Sequence, residues 1–120
     1  MATSVRDSIL GSTKAMLGIV PEYTAFDDQL IMLINSQFPT LYQLGVGDEE
    51  GFEIDGYDET WKDYLEDNKL LKLVITYIHL NVRLMFDPPT NSFAVDAIRK
   101  QIDEYTWRIN VMVDPEVIGG

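Results

Sequence analysis

The chain has no cysteine, a single histidine (His79), and only nine lysines and arginines against twenty aspartates and glutamates. Each scarcity excludes something. Without cysteine there are no disulfides, no thiolate metal ligands and no cysteine nucleophile. A formal net charge of -11 leaves no broad basic surface to grip phosphates, which argues against duplex binding by charge. The eight glycines are scattered and form neither a phosphate loop nor a dinucleotide fingerprint. The most apolar stretch, Leu70 to Phe86, is interrupted by Lys72, His79 and Arg83. It falls short of the roughly 20 nearly unbroken apolar residues of a membrane span. Met1 to Asp7 shows no basic region followed by an apolar one, so no signal peptide is expected and a soluble intracellular product is.

What is present suffices for a core. The 120 residues are 46% apolar, the ordinary share for a globular domain. A chain of this size buries roughly 65–70% of its unfolded surface. The sequence reads as one helical domain over residues 1–113, with an acidic loop at 45–59 and a tail at 114–120.

Ser4 to Leu17 is expected to be a first helix, with Val5, Ile9, Ala15 and Met16 as its stripe and Gly18 as its stop. Asp27 or Asp28 is the expected cap of a second helix whose apolar spacing persists to Leu44. Pro39 falls inside it and should kink or divide it there. Between Asp48 and Asp67, ten of the twenty acids meet the single base Lys62. Within this acidic stretch, Phe52 to Tyr57 reads either as a small hairpin or as a solvated loop with a few aromatic anchors, mobile because its charges repel. Thr60 is the expected cap of a short helix carrying Trp61, Tyr64 and Leu65.

Leu70 to Phe86 carries one polar stripe (Lys72, Thr76, His79, Arg83) and is otherwise apolar, the pattern of a central helix covered on most sides. Asp87-Pro88-Pro89 ends it. Asn91 or Ser92 then caps a last helix, about Phe93 to Val111, with Ile98, Ile102, Tyr105, Ile109 and Met112 on one face. Asp96–Lys100, Arg99–Asp103 and Glu104–Arg108 are spaced for ion pairs on the other. The two long helices are expected to pack antiparallel at the centre of a small bundle.

No catalytic, cofactor or metal site emerges. A calcium loop aligned on Gly56 would place Gly51 first and Lys62 twelfth, so both ends fail. His79 reads as a half-exposed helix-face residue, with nothing in the sequence to orient it as a base. Trp61 and Trp107 read as core residues, and Met16, Met32, Met85 and Met112 as gap-fillers.

The run Leu73 to Thr90, with Phe86-Asp87-Pro88-Pro89 at its end, is distinctive, as are Ser92-Phe93, Gln101-Ile102 and Trp107-Arg108 after it. With Ile9-Leu10, Leu17-Gly18-Ile19, Phe26-Asp27, Leu30-Ile31, Ile34-Asn35 and Glu59-Thr60-Trp61, it resembles the head–tail connector (adaptor or head-completion) proteins of tailed bacteriophages over residues 5–113. The resemblance implies a helical bundle assembling into a ring, typically dodecameric, beneath the portal vertex. It implies a structural virion protein, not an enzyme, that extends the DNA channel and joins the head to the next neck or tail component. Its partners would be the portal protein, the downstream neck protein and copies of itself. DNA would pass without specific binding, and no cofactor or membrane is involved. Pro115, Glu116, Val117 and Ile118 are the expected partner contact. The alternative from composition is an acidic DNA mimic or inhibitor of a basic nucleic-acid enzyme, and a second is a carboxylate enzyme using a divalent ion.

Overall fold

The computed structural model describes residues 6–66 and 68–113. Among them the chain forms six helices: α1 (Ile9–Met16), α2 (Asp27–Asn35), α3 (Gln37–Gln43), α4 (Trp61–Tyr64), α5 (Asn68–Phe86) and α6 (Ser92–Val113). The expected all-α bundle is the fold observed.

Local chemistry sets most of the ends. The Ser8 hydroxyl accepts the Gly11 N–H at 3.0 Å, so α1 begins at Ile9 and not near Ser4. Gly11 thus lies in the first turn. Gly18, at φ 79, terminates the helix: its N–H bonds Ala15 O and the Ile19 N–H bonds Lys14 O. Gly45, at φ 96, repeats this arrangement after α3, with Val46 N–H on Leu41 O and both of those side chains buried. This is the paired-bond C-terminal motif that a left-handed glycine permits. Thr60 and Asp63 form a reciprocal capping box at α4. The Asn91 side-chain oxygen Oδ1 accepts the Phe93 and Ala94 amides at 2.7 and 3.3 Å and starts α6.

Two expectations about the second helix need correction. Neither Asp27 nor Asp28 caps it; both lie in its first turn after Phe26, and the Asp27 carboxylate is engaged elsewhere. The break falls at Ser36, three residues before Pro39. A proline clashes with the carbonyl four residues back, here that of Asn35. The chain therefore turns between Asn35 and Gln37, and Pro39 occupies the first turn of α3, where its missing amide is tolerated.

The molecule is a slab of 49 × 39 × 20 Å. Its thin dimension is about two helix diameters, each roughly 10–12 Å. The most extensive helix–helix contact joins α5 and α6, which run back along each other across the short Asp87–Asn91 turn; α2 packs on α5 as well. Leu71, Val74, Tyr77, Ile78 and Val82 form the buried face of α5, with Leu30, Ile34, Ile9, Leu10 and Ile109 in the same core. A slab this thin cannot cover a helix on most sides, which corrects the expectation for α5. Leu73, Leu80 and Leu84 are half-buried and Met85 is exposed. On α6 only Ile109 is fully buried; Ile98, Ile102 and Tyr105 are half-buried and Met112 is exposed. Trp107, Met32, Met85 and Met112 were expected inside and instead face outward. Ala15 is also exposed, while Leu10, Thr13 and Lys14 take the buried face of α1. Glu104–Arg108 closes at 3.0 Å, but Asp96–Lys100 and Arg99–Asp103 do not.

Among the described residues the acidic segment contains no hairpin; the one β-bridge is antiparallel, Ser8 to Thr60. Ile9 N–H bonds Glu59 O at 3.0 Å and Trp61 N–H bonds Asp7 O at 3.1 Å, tying the starts of α1 and α4 together.

Candidate assembly interface

The acidic segment is better anchored than its charge suggested. The Asn35 amide brackets one residue of it, donating to Ile54 O at 2.9 Å and accepting from Ile54 N–H at 2.8 Å. Val46 and Ile54 are buried in the core. Phe52 joins Phe38 and Tyr64 in an aromatic triad with centroid separations of 5.2, 4.7 and 5.0 Å. These are distances at which aromatic edges and faces attract. The expectation of few anchors is therefore corrected, and the reason is tertiary: two of the groups that hold the loop, Asn35 and Phe38, lie well upstream.

Between this loop and α3 runs a groove of about 850 Å³. Phe38, Phe52, Tyr64 and Val46 form its apolar base, and the exposed Pro39 and Tyr42 lie at α3. Asp48, Glu49, Glu50, Glu53 and Asp63 also line it, and no described lysine or arginine does. The Tyr64 hydroxyl is buried without a hydrogen-bond partner, and burial raises its pKa well above the ordinary value. It remains a neutral donor.

A second polar cluster had no counterpart in the sequence reading. Lys14 is fully buried. Its ammonium donates to Tyr23 O at 2.7 Å and Asp27 Oδ1 at 2.7 Å, and contacts Pro21 O at 3.1 Å and the Tyr57 hydroxyl. The Tyr57 hydroxyl in turn reaches Pro21 O at 3.1 Å. Burial works to lower the Lys14 pKa, but hydrogen bonds and charge from Asp27 and Tyr57 outweigh it and hold it above 10.5. One side chain thereby joins α1, the 18–26 connection, α2 and the acidic loop. A signal was available: Lys14 sits between Leu10 and Leu17 in the apolar phase, at steps of four and three.

His79 is half-buried, its ring edge against Trp61 at 5.7 Å, with Nε2 buried and unpartnered. Desolvation lowers its pKa to about 4. The adjoining hollow of about 390 Å³ is lined by Thr76, Arg83 and Gln101 besides apolar residues, with no carboxylate to orient the imidazole. Among the described residues no group of three His, Asp or Glu side chains is placed to hold a metal ion, and no helix is long and apolar enough to cross a membrane.

On α6, Phe93 is 84% exposed and Trp107 55% exposed. Fourteen residues at 100° each bring them within about 40° of the same helix side, about 21 Å apart. The expected partner contact, Pro115, Glu116, Val117 and Ile118, lies outside the described residues.

A thin helical slab with a lined groove and outward aromatics leaves surfaces open to contact with other subunits. The family model described as phage connector protein matches residues 9–116, about nine-tenths of the chain. The chain belongs to the phage connector protein family, and its role is that of a structural connector in a phage virion. No curated protein and no solved structure matches it.

Proposed function

We propose that this protein is a ring-forming neck adaptor that sits under the portal, continues the DNA channel and joins the head to the next neck or tail component. It carries out no chemistry. The observation that carries the reading is the family match across residues 9–116. The exposed aromatics of α6 support it, because subunits of a closed ring need two unlike faces that meet head to tail. Phe93 and Trp107 provide apolar contact area for one such face. The excess of acid suits a channel through which DNA slides, since like charge keeps phosphates off the wall. A dodecamer is the proposed state. Pro115 to Ile118 are proposed to dock on the portal, and assembly would take place in the host cytoplasm before incorporation at the virion neck.

Electron microscopy of the purified protein, alone and mixed with purified portals, tests this directly. Rings, or portals bearing an added collar, are expected. A stable monomer or dimer that leaves portals bare overturns the reading and favours the acidic-inhibitor alternative. A chain ending at Val113 should keep its fold and lose the collar; a collar as dense as that of the full chain would remove the docking role from Pro115 to Ile118.

A further inference from the structure

The groove between α3 and the acidic loop combines two features that rarely serve the same ligand unless that ligand is itself amphipathic. Its base is apolar and aromatic, built from Phe38, Phe52 and Tyr64 in mutual contact. Asp48, Glu49, Glu50, Glu53 and Asp63 add five carboxylates, and no described lysine or arginine lines the groove with them. At physiological salt the screening length is about 8 Å, so carboxylates sharing one groove act on a bound cation together. We infer that the groove is the docking site for a lysine- or arginine-rich segment of a partner protein, whose aromatic or aliphatic side chain seats on Phe38, Phe52 and Tyr64. The inference deepens the connector reading by giving the chemistry of a partner, and rests on that reading for the partner being a virion protein.

Charge complementarity selects this occupant over the others. Nucleic acid is repelled by the same carboxylates. The chain's own 114–118 segment brings Asp114 and Glu116 and is disfavoured for the same reason. A purely cationic ligand would leave the aromatic base unused, and a purely apolar one would desolvate the carboxylates without pairing them. A volume of about 850 Å³ is within the range of about 300–1,000 Å³ in which well-formed ligand pockets fall. It holds a few side chains and not a folded domain. Aromatic and arginine anchors are also the side chains that dominate protein interfaces.

The test uses the full-length protein and a fluorescein-labelled synthetic dodecapeptide carrying six Lys and Arg around a central Phe-Trp pair. Two controls accompany it: the same peptide with Gly-Gly at the centre, and one with Glu replacing every base. Anisotropy should show at least tenfold tighter binding of the basic aromatic peptide than of either control. Binding should fall at least tenfold with the double variant Glu49→Lys/Glu50→Lys, whose sites are both exposed, and weaken as salt is raised. Amide chemical-shift changes should cluster at residues 46–53 and 63–64. Equal affinity for the Gly-Gly peptide, unchanged affinity of the double variant, or shifts clustering on α6 would each overturn the inference. Ring formation is read separately by microscopy. A subunit that forms collars but ignores the peptide sinks the groove alone, and one that binds the peptide but never assembles sinks the ring alone.

Discussion

Replacing Lys14 with methionine tests the least expected feature of the fold. Methionine keeps nearly the length of the side chain and removes the ammonium. Three N–H donors serve Tyr23 O, Asp27 Oδ1 and the Tyr57 hydroxyl, while that hydroxyl can donate to Pro21 O. Truncating one partner of a buried pair costs about 3–5 kcal/mol, because a charge is left uncompensated. Here the Asp27 side chain keeps 16% of its exposure, and its place in the first turn of α2 gives it helix-terminal stabilisation. The expected loss is therefore at the lower end, about 2–4 kcal/mol. For a domain of this size that is on the order of 10–15 °C in Tm. Urea unfolding at pH 7 measures the free energy. Adding Asp27→Asn to Lys14→Met should recover part of it, since no uncompensated charge then remains. The pH dependence has a defined sign. A lysine pKa above 10.5 in the fold contributes stability that is complete below 10.5 and lost as pH rises through the folded value. The parent should weaken in that alkaline window, and Lys14→Met should lack this component. A Lys14→Met protein within about 0.5 kcal/mol of the parent at pH 7 would refute the assignment of Lys14 as a tie between elements.

Three further outcomes are expected. Gly45→Ala should lose about 2 kcal/mol or more in urea unfolding, because φ 96 strains any L side chain and the new methyl would stand 2.4 Å from Val113 Cγ1; a neutral effect would mean that α6 does not close on this turn. Asn35→Ala leaves the Ile54 amide and carbonyl unpaired and should cost about 1–3 kcal/mol, with faster hydrogen exchange confined to residues near 52–57; exchange unchanged there would show that the clamp does not order the loop. His79 should make the fold acid-sensitive: with a folded pKa of about 4 against 6.5, the unfolded chain takes up the proton first, and stability falls between pH 6.5 and 4 by up to about 3 kcal/mol. His79→Gln should flatten that part of the profile, and an unchanged profile would reassign the acid sensitivity to carboxylates.

The long helices were legible because their signals are local and redundant. Leu70 to Phe86 has a polar stripe at regular steps, Pro88 and Pro89 stop it, and Asn91 restarts the chain, each effect acting within one or two turns. The glycine stop at 18 and the Thr60 cap are local in the same sense. What escaped the sequence is what depends on partners far along the chain. The loop is ordered by Asn35 and Phe38, which precede the residues they hold by 19 and 14 positions. Trp107 was read as a core residue, yet a 20 Å slab leaves one side of α6 uncovered. The burial of Lys14 likewise depends on acceptors at Pro21, Tyr23, Asp27 and Tyr57, 7 to 43 positions further on. The groove could have been suspected from Phe52 and Tyr64 lying within the acidic run and Phe38 ahead of it, but nothing in their spacing requires them to meet.

The acidic segment also shows how charge and order are reconciled. Ten acids in twenty residues repel one another, and that repulsion opposes folding. Neutral groups supply most of the contacts that hold the segment: the Asn35 amide, the buried Val46 and Ile54, the Phe38–Phe52–Tyr64 cluster and the backbone bonds at Ser8 and Thr60. Carboxylates take part where they meet amides, as Asp63 does in the α4 cap and Glu59 Oε2 does at Asp55 N–H. Asp48, Glu49, Glu50 and Glu53 form no ion pair among the described residues and stand exposed beside the groove. A chain selected for stability alone would gain by neutralising some of them. Their concentration on one loop, fixed in place mainly by uncharged anchors, fits a surface whose negative potential is kept for something outside the subunit.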